Sequence, residues 1–259
     1  MRFSKFTSIV LSLSILCRGM CDQNPLYRFD GMFEEYSGRR LTLIGKFLSE
    51  NPVIFEAGGH YGEDSVHFLH YWPNASVLTF EANPDAFAKL QERIKPYPQI
   101  RGYNLAVNNY NGIATFYVCY GTNGNEPVFE GASSILEPSE CMKHHYQGPK
   151  ITVPCIKLDD WCHQNDVDHI DFMWLDLEGL ELQILKSSPE ILKTVKVIYT
   201  ETNMFEFRKG TTQFLPLKRF LERSGFKLLA HWYLQGLQGD AIFVRKDVFI
   251  AAMNSLSSK

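Results

Sequence analysis

Residues 53–62 read Val-Ile-Phe-Glu-Ala-Gly-Gly-His-Tyr-Gly, a short apolar run that closes on Glu56 and turns at once through Gly58, Gly59 and Gly62. Further on, Val77-Leu78-Thr79-Phe80-Glu81 ends a second apolar run on another acid. Each run has the length and composition of a buried strand, and glycines after the first permit a tight turn into a helix. Two such units in succession are how a doubly wound α/β sheet builds a nucleotide pocket, beyond the carboxyl ends of its strands. A dinucleotide loop has the pattern G-x-G-x-x-G, and here Ala57 occupies the place of the first glycine. A carboxylate at Glu56 would also repel a pyrophosphate. It suits the cationic end of S-adenosylmethionine, which carries an ammonium and a sulfonium and no phosphate. Charge therefore favours the methyl donor over NAD as the expected ligand.

The chain has 259 residues, enough for one α/β domain with a full core. Its formal net charge of −3 and the lack of any Lys/Arg stripe exclude an electrostatic footprint for nucleic acid. Residues 1–21 read differently: Arg2 and Lys5 precede an apolar stretch from Phe6 to Cys17, the pattern of a secretory leader or anchor. Membrane contact is expected only through this stretch, if it is not cleaved. Its removal would take Arg2, Lys5 and Arg18 and move the charge from −3 to −6. Location is thus cytoplasmic, or else exported or membrane-anchored through an N-terminal leader, and nothing in the sequence speaks to oligomeric state. Cys119, Cys141, Cys155 and Cys162 match no zinc spacing, and buried free thiols are the expected state.

From residue 22 onward no linker divides the chain, and the core is expected at about 50–246. A first helix carries Leu41, Ile44, Phe47 and Leu48 on one face and ends near Asn51-Pro52. Strands are expected at 53–56, 76–81, 100–107, 151–157, 171–177 and 195–200, with a helix at 63–71. Asn83 is placed to cap the next helix, with Pro84 at its first position. Asp159 or Asp160 would cap the helix that starts at LDDW. An arm at 112–120 alternates like a hairpin strand. Residues 121–150 hold Gly, Pro, Ser, Asn and Glu without periodicity, and a loop of that length is expected to act as a lid. Residues 212–224 form an amphipathic helix, and 226–231 with 240–245 an antiparallel closing pair. The class is an α/β sandwich on a mostly parallel sheet.

Five acids, Glu56, Glu81, Asp176, Glu178 and Glu201, fall at or just past strand ends. Glu81 is positioned to accept both ribose hydroxyls of an adenosine; its competing reading is a helix-cap acid. Glu56 either meets the methionine end of the donor, directly or through water, or stabilises the turn. Asp176 and Glu178 share one side if their strand persists. There they would take the proton of an acceptor hydroxyl, hold a metal with Glu201 or His60, or cap the following helix. Ser133-Ser134 and His144-His145 lie in the expected lid, and His67 and His70 on one helix face.

EAGGHYG, FEANP, LAVNNYNG, ASSIL, LDDW, DFMWLDLEGLELQIL and GDAIFVR, in that order, resemble the FkbM-type family of S-adenosylmethionine-dependent methyltransferases. The resemblance implies a class I methyltransferase fold, Rossmann-like, with a seven-stranded sheet whose last strand is antiparallel. It implies O-methylation of a small-molecule or glycan hydroxyl. Carried over by position, Glu56, Gly58, Gly59, Gly62, Glu81 and Asn83 would hold the donor, with Asp176 and Glu178 in the active site. The chain departs from the family at Glu56, at Gly59-His60 where the family has Ala-Asn, and at Trp174 where it has a lysine. An NAD-dependent oxidoreductase and an exported binding protein that kept the fold without turnover are the alternative readings.

Overall fold

Alternating apolar runs become the strands of a seven-stranded sheet in the computed structural model, which describes residues 39–120, 130–234 and 238–257. In chain order these are β1 (Val53–Ala57), β2 (Ser76–Phe80), β3 (Ile100–Tyr103), β7 (Phe172–Leu175), β8 (Val197–Asn203), β9 (Phe226–Leu234) and β10 (Gln238–Arg245). Their spatial order is β3-β2-β1-β7-β8-β10-β9, and all are parallel except β10. The expected sheet with an antiparallel last strand is therefore present. Strand order reverses between β1 and β7, which opens a crevice beyond their carboxyl ends. Residues 44–259 form one compact unit. The leader reading falls on residues outside those described. Among the described residues no helix is long and apolar enough to cross a membrane.

Register explains why the strands read as continuous apolar runs. Leu78, Phe55, Met173, Ile198 and Phe243 line up across five strands and point to one face. There they meet α3 (Leu158–Gln164), α4 (Glu181–Ser187), α5 (Pro189–Leu192) and α6 (Phe214–Arg223) through Trp161, Leu185, Ile191 and Leu221. One residue further on, Thr79, Glu56, Trp174 and Tyr199 line up on the opposite face. That face carries α1 (Glu63–Tyr71), whose Phe68 ring lies 5.3 Å from Trp174, and α2 (Pro84–Ile94), which buries Leu90. A sheet covered on both faces has no polar edge to its pattern, so alternation disappears.

Several boundaries differ from expectation. Residues 100–107 are two strands, not one: β3 ends at Tyr103, and β4 (Ala106–Asn108) belongs to a second, three-stranded sheet with β5 (Gly112–Tyr117) and β6 (Lys150–Lys157) in the order β4-β6-β5. Its small core is Ala106, Ala114, Phe116, Val153 and Cys155. Asp159 does not cap its own helix. Its two oxygens accept the N–H groups of Glu190 (2.9 Å) and Ile191 (3.0 Å) at the start of α5. The first helix ends at residue 45, short of Asn51, and α7 (Lys246–Ser257) follows the last strand, where the sequence pattern predicts no element. Among the described residues Cys119, Cys155 and Cys162 are buried free thiols as expected, and Cys141 is a free thiol that is exposed.

Candidate active site

The carboxyl ends of β1, β2 and β7 meet at the glycine loop. Gly58 and Gly59 both donate to the Phe80 carbonyl at 3.0 Å, which turns the loop toward β2. Gly58 has φ 90°, and a side chain there would collide with the backbone oxygen of Asp176. One at Gly59 would collide with the Thr79 hydroxyl. These glycines are required by close chain-to-chain approach at the switch point, and Gly62 (φ 82°) is the N-terminal cap of α1.

Glu81 is held from both sides. Its Oε2 accepts the His60 N–H at 2.8 Å and its Oε1 accepts the Asn83 N–H at 2.7 Å. Burial raises its carboxyl to about 7. His60, read from the sequence as one possible metal partner of Asp176 and Glu178, is not in their group and works instead through its backbone N–H. It sits at φ 43°, a left-handed conformation that His and Asn tolerate better than most residues. Its ring stacks on Tyr61 at 3.6 Å. The Asn83 side chain caps α2 by accepting the Asp85 N–H at 3.0 Å, as its sequence position predicts. Both residues meet Glu81 through backbone groups.

Glu56 departs from the expected contact with a ligand. It is 1% exposed and turned onto α1, where it accepts the Ser65 hydroxyl, with Thr79 alongside. Burial, and then the neighbouring Asp64, raise its carboxyl to about 8. At neutral pH it carries a proton, so it is not the charge that repels a pyrophosphate. Despite its partial burial, Glu63 is kept below its ordinary value by His60 and Arg93.

The second constellation forms by a turn and not by strand alternation. β7 stops at Leu175, and Glu178 takes φ 52° with Gly179 at φ 105°. Glu181, buried in the first turn of α4, accepts the N–H groups of Leu177 and Gly179, both at 3.1 Å, and so fixes that turn. Asp176, Glu178 and Glu201 each present a carboxylate oxygen, and these three atoms lie within 4.8 Å of one another, a spacing a divalent cation could bridge. Glu201, one of the two possible third members read from the sequence, completes this group, but it lies inside β8 and not past its end. Burial first, then like charge from its neighbours, holds Glu201 well above the ordinary carboxylate range. Asp176 is exposed at the mouth of the crevice, and crowding by the surrounding protein, followed by the charge of Glu178, raises it in the same direction. Burial also raises Glu178, and the Arg208 guanidinium opposes it.

A model of the FkbM methyltransferase domain matches residues 56–228. The chain belongs to that family. It is 30% identical over 205 residues to the 2-O-methyltransferase NoeI of Sinorhizobium fredii, covering 77% of this chain and 82% of the relative. It is 23% identical to the hexuronic acid methyltransferase AglP of Haloferax volcanii, over 68% of this chain and 66% of the relative. Among solved structures, TrmK of M. capricolum with S-adenosyl-homocysteine resembles the chain at TM-score 0.45 and 10% identity, covering 80% of this chain and 68% of TrmK. The Geobacter metallireducens precorrin-6y C5,15-methyltransferase does so at 0.42 and 11%, covering 80% and 86%.

As an FkbM-family protein the chain is an S-adenosylmethionine-dependent methyltransferase. The residues at the crevice fit that donor. Each Glu81 oxygen spends one acceptor position on a backbone N–H and keeps another for a ribose hydroxyl. At the position of the family's lysine, Trp174 stacks on Tyr199 at 3.7 Å, so that place is an aromatic slot without a cation. Of the loop residues expected to act as a lid, 121–129 lie outside those described. Ser133 accepts the Cys119 N–H, and Ser134 bridges to Tyr117, so both build the turn that starts the described part. Two residues that shape the site escape a reading of the sequence alone: Glu181, which fixes the turn under Glu178, and the buried Arg208 beside it.

Proposed function

We propose that this FkbM methyltransferase methylates a hydroxyl of a sugar or sugar-like small molecule. In this reading Glu81 holds the donor's ribose, and the Asp176–Glu178 pair takes the acceptor's proton. The observation that carries it is the convergence of Asp176 and Glu178 within 4.8 Å, just beyond Gly58 at the switch point. The name of the 2-O-methyltransferase NoeI supports a hydroxyl acceptor, and that of the hexuronic acid methyltransferase AglP supports the sugar class.

When bound, S-adenosylmethionine supplies an electrophilic methyl group on a sulfonium. The chain's residues do the remainder. Glu81, oriented by the His60 and Asn83 amides, accepts the ribose diol. Asp176 and Glu178 orient the acceptor hydroxyl and remove its proton as the oxygen becomes a nucleophile. Glu56 and Glu181 carry no substrate in this scheme. One packs the glycine loop onto α1, and the other sets the turn on which Glu178 stands.

Calorimetry with S-adenosylhomocysteine, S-adenosylmethionine and NAD tests the donor half. The first two are expected to bind and NAD is not; the reverse pattern would return the protein to the oxidoreductases. Glu81→Ala is expected to weaken S-adenosylhomocysteine binding about tenfold or more, since each lost charged hydrogen bond contributes roughly 1.5–3 kcal/mol. Unchanged affinity in a variant with native circular dichroism would remove Glu81 from the donor site. The acceptor half is tested by methyl transfer to a panel of methyl hexopyranosides and hexuronates. Donor binding without transfer to any hydroxyl would favour a binding protein that kept the fold.

A further inference from the structure

Arg208, in the loop after β8, is 0% exposed. A buried guanidinium is costly unless its donors are met and its charge is paired. Here Nη1 donates to the Leu136 carbonyl at 3.1 Å and Nη2 to the Ala132 carbonyl. Tyr146 covers it, with the guanidinium carbon 4.2 Å from the ring centre. Its Nε, which has no hydrogen-bond acceptor, lies 3.8 Å from Oε2 of Glu178. The backbone joins in: Pro138 bridges to Arg208, Ser139 donates to the Phe207 carbonyl at 3.0 Å, and Lys209 donates to Glu137 at 2.8 Å. One side chain thus touches both the 131–149 segment and the acid that stands in a left-handed turn.

That turn supplies the physical consequence. A non-glycine residue at φ 52° is strained and persists only where its surroundings over-determine it. Glu181 fixes the Glu178 backbone through the flanking amides, but it does not aim the carboxylate. Arg208 does, and it is itself aimed by the carbonyls of Ala132 and Leu136. We propose that Arg208 is a positioning residue that joins the seating of the 131–149 segment and the aim of the Glu178 carboxylate into one equilibrium. An acceptor that pulls on Glu178 then also pulls the segment, through a residue that touches no acceptor. This inference rests on the reading of Glu178 as an acceptor-side acid.

Amide hydrogen exchange of the full chain reads the coupling without any acceptor, at Ser134, Ser139 and Lys209, whose N–H groups hold the segment. Arg208→Gln is expected to speed exchange there about tenfold or more, the loss matching one charged hydrogen bond. Arg208→Lys, which keeps the charge, should recover part of the protection. Glu178→Gln is the deciding variant, because it removes the charge that pairs with Arg208 while leaving the carbonyls that hold Arg208 in the segment untouched. It should speed exchange at the same amides several-fold while peptides from β1 and β2 stay as in the parent. Parent-like exchange in Glu178→Gln would overturn the coupling and leave Arg208 a structural pin; parent-like exchange in Arg208→Gln would overturn it outright. Failure of the methyltransferase reading would show separately, as a parent protein that does not bind S-adenosylhomocysteine.

Discussion

Glu56→Gln is expected to make the protein more stable at pH 9 and to leave it nearly unchanged at pH 5. The carboxyl is raised from 4.5 to about 8 by burial and by Asp64, so folding takes up a proton between those values. The folded state is therefore favoured most below pH 4.5, and the advantage is lost as pH rises toward 8. A difference of one pH unit between folded and unfolded chain corresponds to about 1.4 kcal/mol, which places the cost of ionising Glu56 at about 5 kcal/mol. Glutamine has the same shape, can accept the Ser65 hydroxyl, and never ionises. Urea unfolding at both pH values measures the difference, and for a unit of this size the gain at pH 9 corresponds to a Tm rise of about 10 °C or more. Parallel pH-stability curves for parent and variant would show that the carboxyl is not held neutral. Glu81 and Glu181, both raised to about 7, give the parent the same direction of pH dependence. The comparison of variant with parent isolates Glu56 from them.

The same residue shows how sequence reasoning reaches a sound ligand through an unsound step. A carboxylate at a strand end reads as a charge facing the ligand. Strand register instead puts Glu56 in the row of Thr79, Trp174 and Tyr199, beneath α1, where the charge is suppressed. What the sequence carries well is local punctuation: the glycine turn after β1, Asn83-Pro84 at the start of α2, and the bounds of α1 at Glu63 and Tyr71. What it cannot carry is pairing between distant segments. β4 joins β6 in parallel through Ala106 and Cys155, and nothing near Ala106 announces a second sheet. Asp159 caps a helix about thirty residues on, so its local reading as a cap of LDDW fails. Arg208 lies in a short polar stretch with no motif, and its worth comes entirely from partners at 132, 136, 146 and 178. Glu181 is the one missed residue with a signal, since it is the last acid of the DLEG-x-E segment.

Asp176→Asn and Glu178→Gln are expected to lower kcat by about 10²- to 10⁴-fold, the range for a lost general base. Affinity for S-adenosylhomocysteine should stay close to that of the parent, because Glu81 and the glycine loop are untouched. Both carboxyls are raised, the exposed Asp176 by crowding at the crevice mouth and then by Glu178, and Glu178 by burial against the pull of Arg208. A base acts in its ionised form, so the parent rate should climb as pH rises through the neutral and alkaline range and fall toward acid pH. A variant lacking the true base should lose that climb along with its rate. Full kcat in one single variant would assign the proton transfer to the other acid. Activity that vanishes with EDTA and returns with a divalent cation would recast the acids, with Glu201, as its ligands. The double variant separates the remaining cases. Two acids sharing one proton-removing task should lose no more together than the worse single variant, because groups that act as a unit are strongly non-additive. A multiplicative loss would mean that one acid removes the proton and the other only holds the acceptor.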